Sequence, residues 1–230
     1  SKWYNQSIGG WTRKFNYTID VYDQEGDTVN CSLYISKDNQ ASWTYKNSSI
    51  VQGNPGTSIQ GLCSVIVWDF NYTDIDKPDG TNMKWFKWYI QNGEPLNAYY
   101  TDETQGPNIT ESNISIVYVE GNDTNINRTS GINQVRKLAV NVFDTENNSY
   151  AKTVNVTFWL TNDSSKYRLD TVNTTDELGN ATYYFNPDCS YLAGLQYWLA
   201  GVVDTRYVDR NTSTNFTSYL IGDLILSVIS

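Results

Sequence analysis

The sequence predicts an all-β chain of two tandem β-sandwiches, and three observations carry that prediction. Short runs of β-branched and aromatic residues recur at intervals of about ten residues, bounded by Gly, Asn, Asp and Pro. No segment sustains the helical apolar period for three turns. A pattern from the first half of the chain also returns in the second. The 230 residues suffice for one large β domain or two ordinary ones.

In chain order, residues 15–23 (FNYTIDVYD), 29–35 (VNCSLYI), 63–70 (CSVIVWDF) and 84–91 (KWFKWYIQ) read as strands of a first sandwich. Residues 113–119, 136–143, 154–160, 181–185, 196–203 and 217–228 read as the second set. Between them GEPLNAYYTDETQGP, residues 93–107, is rich in Gly and Pro and poor in core residues, which marks a boundary. The expected organisation is an N-terminal arm at 1–10, a first sandwich at 11–104 and a second at 105–230.

The repeat pairs IDVYDQEGDTVNCSLYI at 19–35 with VNVFDTENNSYAKTVNVTFWL at 140–160. Asp23 matches Asp144, Glu25 matches Glu146 and Asn30 matches Asn155, with four extra residues in the second loop. Each copy reads as a β-hairpin around an Asp-x-Glu turn. Strand parity then points Asn30, Ser32 and Tyr34 outward and Val29, Cys31, Leu33 and Ile35 inward, with Val156 in the place of Cys31.

Composition narrows the function. Lys and Arg total 16 against 25 acids, a net charge of −9, so phosphate backbones and anionic membranes are repelled and nucleic acid is not an expected partner. There is no histidine, which removes His-activated nucleophiles and His-ligated zinc. No Gly-rich phosphate loop or nucleophile elbow stands out, and no acid pair is singled out among the 25, so the chain is not expected to be an enzyme.

Asparagine is the unusual residue. With 26 Asn and 44 Ser plus Thr, chance predicts roughly 5 Asn-x-Ser/Thr triplets. Sixteen are present, at Asn5, Asn16, Asn30, Asn47, Asn71, Asn108, Asn113, Asn122, Asn127, Asn147, Asn155, Asn162, Asn173, Asn180, Asn211 and Asn215, none with proline in the middle. They predict covalent N-glycans on a protein that has crossed a secretory membrane. A chain starting at Ser1 with Met83 as its one methionine fits removal of an initiator and signal peptide. The longest apolar stretch, 219–229, carries Asp223 and falls short of the roughly 18 residues a membrane span needs, so no span is expected.

Of three cysteines, Cys31 and Cys63 are the preferred disulfide because they lie in one expected domain, and Cys189 is expected as a buried free thiol, with pairing between subunits as the alternative. The DIDKPDG turn supplies Asp74, Asp76 and Asp79, hard oxygens of the kind calcium takes, but without EF-hand spacing, and an ordinary turn demands the same residues. No other cofactor is indicated. Trp85 and Tyr89 share one strand face and Phe86 and Trp88 the other, so one aromatic pair faces outward, for core-like subunit contact or for stacking on sugar rings. SKWYNQSI before Gly9-Gly10 places Trp3, Tyr4 and Ile8 on an arm suited to strand addition, and LIGDLILSVIS at 220–230 is the other candidate donor.

On these residues the chain resembles tandem immunoglobulin-like repeats of archaeal cell-surface proteins: S-layer glycoproteins, adhesins and extracellular filament subunits. FNYTIDVYDQEGDTVNCSLYI is similar to the opening of such repeats, and TDELGNATYYFNP at 175–187 to the Thr-Asp-x-x-Gly-x-Ala-Thr hairpin of Ig-like modules. WDF at 68–70 resembles polycystic-kidney-disease-type domains, although Asn-Tyr-Thr stands where Gly-Asp-Gly should follow. The resemblance implies two tandem immunoglobulin-like β-sandwich domains at the cell surface. The expected function is a structural subunit of a filament, sheath or S-layer, a homopolymer with Trp3, Tyr4, Ile8, Trp85 and Trp88 as possible subunit contacts, contacts being expected where sequons are sparse, at 1–4, 84–100 and 185–209. The alternative is a monomeric adhesin or carbohydrate-binding module using exposed Trp and Tyr, with surface glycans or proteins as partners.

Overall fold

A computed structural model describes residues 2–5, 7–93, 98–128 and 135–222. It is all-β, with one short 3-10 turn at Tyr72–Asp74, and divides into two compact units, Ser1–Ser112 and Asn113–Ser230.

In the first unit the strands are β1 (Lys2–Tyr4), β2 (Ile8–Gly10), β3 (Phe15–Asp23), β4 (Val29–Ser36), β5 (Thr44–Val51), β6 (Ile59–Val67), β7 (Trp85–Asn92), β8 (Ala98–Tyr100), β9 (Thr104–Gln105) and β10 (Asn108–Thr110). One sheet runs β1-β3-β6 and the other β5-β4-β7-β8, with β9 also on β7 and a parallel β2-β10 pair. This is the immunoglobulin-like arrangement, strands A-B-E against C′-C-F-G. Phe15, Tyr17, Ile19 and Val21 alternate with outward residues along β3 and bury against Leu33, Ile35, Phe86 and Trp88 of the other sheet. The rings of Tyr17 and Phe86 meet edge-on at 5.0 Å between centroids.

The second unit repeats the order. Its strands are β11 (Ile114–Glu120), β12 (Thr124–Asn127), β13 (Arg136–Asp144), β14 (Ser149–Tyr150), β15 (Asn155–Thr161), β16 (Tyr167–Thr174), β17 (Asn180–Phe185), β18 (Gly194–Asp204), β19 (Tyr207–Asn211) and β20 (Phe216–Ile221). β11-β13-β17 form one sheet and β16-β15-β18-β20-β12 the other, with β12 parallel to β20 as β2 is to β10. The core is built from Leu138, Val140 and Val142 of one sheet and Val156, Phe158, Leu160 and Trp198 of the other. Trp198 donates its indole N–H to the Gly121 carbonyl at 3.0 Å, which satisfies a polar group that burial would otherwise strand.

The strand order corrects several expectations. The repeated segment is a crossover, not a hairpin: β3 and β13 lie in one sheet of their sandwich, β4 and β15 in the other. Both strands present apolar inner faces, and these meet across the core instead of pairing edge to edge. The same holds for 175–187, which passes from β16 in one sheet to β17 in the other. The four extra residues in the second loop accommodate β14, which pairs back onto β13.

The unit boundary falls at Ser112, not at 104, because Ile109 of β10 is fully buried in the first core. Residues 1–10 are not a free arm. β1 pairs with β3 and β2 with β10, closing the first sandwich. The C-terminal candidate strand continues to Ile221 in β20, and its remainder lies outside the described residues.

Candidate functional surface

None of the sixteen sequon asparagines is buried. Most sit at strand ends or in turns, as Asn71, Asn108, Asn113 and Asn147 do. Asn155 opens β15, and Asn30 is the second residue of the matching strand β4. Asn173 differs from the rest: it is the register partner of the inward Val156, and its amide nitrogen donates to the Thr182 carbonyl at 2.6 Å in the opposite sheet. That nitrogen is the atom a glycan would occupy.

Outward residues of the β5-β4-β7-β8 sheet form an aromatic face. Tyr34 stands 5.7 Å from Tyr45 and 5.9 Å from Tyr100, and Tyr89 stands 4.8 Å from Tyr100, all between ring centroids. Lys87 lies among them, with its ammonium 4.0 Å from the Trp43 ring centroid and 3.2 Å from a Glu103 carboxylate oxygen. Trp85 is half-buried beside this array and donates its indole N–H to Asn39 at 3.1 Å.

Trp88 is not on that face. It is fully buried in the core with Phe86 and is removed from the set of possible subunit contacts. Tyr4 is removed as well, since its ring packs on Phe86 at 5.6 Å and Tyr17 at 6.3 Å. Trp3 and Ile8 remain exposed, at 53% and 50%.

Cys31 and Cys63 are joined, linking β4 to β6 and therefore the two sheets of the first sandwich. Cys189 is exposed, not buried: it lies in the turn between β17 and β18, where no sheet covers it.

The three acids of the DIDKPDG turn go to separate partners. Asp74 pairs with Lys37 at 2.7 Å and also accepts from the Asn71 backbone N–H. Asp79 accepts from the Thr81 backbone N–H and hydroxyl. Asp76 pairs with Lys84 at 2.8 Å, and Lys84 is completely buried. Burial raises the Asp76 carboxyl above the usual range, and the Lys84 ion pair offsets this only in part. Among the described residues no three His, Cys, Asp or Glu side chains converge as a metal site.

Sequence reading did not find one network, because its members come from three separate segments. Asp170 of β16 accepts the hydroxyls of Tyr183 of β17 and Tyr191, and the Arg168 guanidinium lies 4.4 Å from the Tyr191 ring centroid. Burial, followed by the hydrogen bond to Asp170, pushes Tyr191 up to about 12 and Tyr183 further in the same direction. Phenols so raised stay protonated and donate. The network ties the edge strand β16 to the opposite sheet.

No family model and no curated protein matches the chain. Among solved structures, a tetra-tandem repeat in the extending region of a large adhesion protein aligns with 94% of this chain and 47% of its own, at 13% identity and a TM-score of 0.42. Invasin, a bacterial integrin-binding protein, aligns over 97% and 39% at 11% identity and 0.46. Red sea bream transglutaminase aligns over 96% and 31% at 10% identity and 0.33. This chain spans less than half the length of each. The sandwich assignment rests on the strand order itself.

Proposed function

We propose that this chain is an extracellular, N-glycosylated pair of immunoglobulin-like sandwiches with a structural, non-enzymatic role in a cell-surface filament, sheath or S-layer. The observation that carries the reading is the set of sixteen sequons, about three times the chance number, with no asparagine buried in either sandwich. A disulfide between the two sheets of the first unit supports an oxidising compartment. Two sandwiches of one strand order, one after the other in the sequence, suit a repeated structural module. Subunit contacts are expected where apolar side chains are exposed, at Trp3 and Ile8 and at Leu192 and Leu195.

The aromatic face of the first unit favours a second reading, an adhesin that stacks sugars on Tyr34, Tyr89 and Tyr100. Electron microscopy of native material together with a glycan array separates the two. Ordered polymers support the structural role. Dispersed particles that bind a defined glycan overturn it in favour of the adhesin.

A further inference from the structure

We propose that the N-glycan near the start of the matching strand in each sandwich, on Asn30 as second residue of β4 and on Asn155 as first residue of β15, folds back along the outer sheet face and covers the aromatic side chain four residues on, Tyr34 and Trp159. The proposal rests on the glycosylation reading above and goes beyond it by assigning these two glycans a fixed protein surface.

The sequence carries the pattern twice, as Asn30-Cys-Ser-Leu-Tyr34 and Asn155-Val-Thr-Phe-Trp159. On a strand, residues i, i+2 and i+4 share a face, so each sequon asparagine, its Ser or Thr and the aromatic ring lie in line, about 13 Å from first to last Cα. The middle residue is nearly buried in both units although parity turns it outward, Ser32 at 9% and Thr157 at 7%.

In the second unit the ring leans toward the sequon. A Cβ placed on Gly201 would come within 2.0 Å of the Asn211 side-chain oxygen and 2.9 Å of the Trp159 indole, and Gly201 is the register partner of Thr157, the residue between Asn155 and Trp159. The missing side chain leaves the indole room to lie flat there. In the first unit the gap is filled by Tyr89, the register partner of Ser32, whose ring stands 4.8 Å from Tyr100, itself 5.9 Å from Tyr34. The side-chain oxygen of Asn30 is shielded and has no protein hydrogen-bond partner, and hydroxyls of an attached sugar are suitable donors.

The linkage forms between the asparagine Nδ2 and the anomeric carbon of a lipid-phosphate-activated sugar, with the lipid phosphate leaving together with the amide proton. Once attached, the sugar is held beside the rings at high effective concentration, so weak stacking on aromatic faces suffices to keep it down.

The test uses protein made in its own glycosylating host. Hydroxyl-radical footprinting compares the native chain with N30Q and S32A for the first unit and N155Q and T157A for the second. Each pair removes one glycan by two different substitutions. Oxidation at Tyr34, or at Trp159, is expected to rise several-fold in both members of the pair, while the fully buried Trp88 and Trp198 stay protected and report an intact fold. If glycopeptide masses show Asn30 and Asn155 occupied and their loss leaves Tyr34 and Trp159 oxidation unchanged, this proposal is overturned and glycosylation stands. If both asparagines are bare while other sequons are occupied, this proposal alone is overturned; if every sequon is bare, both readings are overturned. Asn211 also lies against Gly201, so protection of Trp159 that is lost in N211Q and kept in N155Q overturns the assignment in the second unit.

Discussion

Asp23 and Asp144 hold the same crossover in two sandwiches by different hydrogen bonds. Asp23 accepts from the Asp27 backbone N–H at 2.8 Å and from the Asn92 amide at 3.0 Å. Asp144 accepts from the backbone N–H groups of Glu146 and Asn147 at 2.9 and 3.1 Å. Both are buried, so D23A or D144A strands backbone donors and is expected to cost about 1–3 kcal/mol in its own unit, read by denaturant unfolding. The hydrogen bond from Asn92 holds the Asp23 carboxyl below the usual range, and those from the Lys166 and Asn180 backbones do the same for Asp163 and Asp176. These groups bind protons more readily when unfolded. Their contribution is therefore complete above about pH 4 and is lost as pH falls through the lower folded values. Asp76, raised by burial, runs the other way. With no histidine, stability measured by thermal unfolding is expected to be flat between about pH 5 and 8 and to drop below about 4. A marked change between pH 5 and 8 would contradict this. The disulfide closes a separation of 32 residues, and the double variant C31A/C63A is expected to lose about 3–4 kcal/mol on the chain-entropy model.

At the scale of elements, alternation of apolar residues made the central strands β3, β4, β7, β13, β15 and β18 visible, since each buries one full face. β5 (TYKNSSIV) and β16 (YRLDTVNT) were invisible for the converse reason. Both are edge strands with mostly polar, exposed residues, held by one neighbour, and their sequences carry no burial period. Period-two patterning also does not say which sheet a strand joins, which is why three crossovers read as hairpins. β10 directly follows a Gly- and Pro-rich stretch and has only three residues, too few to show a pattern, yet its Ile109 completes the first core. A fragment ending at 112 is accordingly expected to fold more stably than one ending at 104, which lacks that side chain, and equal melting temperatures would contradict the boundary. Asn173 gives an element-level test of the sugar map. Its amide spans the two sheets, so glycopeptide analysis is expected to find it bare while Asn155 on the neighbouring strand is occupied.

Across the whole molecule, the legible part of the candidate site was its covalent signature. Sequons are local triplets, and strand parity set the outward direction of Asn30 and Asn155 from the sequence alone. The aromatic face of the first unit was only half legible: parity paired Trp85 with Tyr89, but Tyr34, Tyr45 and Tyr100 join through strand pairings that no local pattern encodes. Parity likewise left open whether Trp85 or Trp88 faced the core. The Asp170 network was illegible because β16, β17 and the turn at Tyr191 meet only in three dimensions. The proposed picture is of two equivalent sandwiches whose acidic exterior carries sugar, with bare apolar side chains left for contact. Intact-mass measurement of the native protein, before and after removal of glycans, tests it most directly. The account predicts a mass well above the bare chain's 26.2 kDa, falling to that value once the glycans are removed. A native mass equal to the bare chain would contradict it.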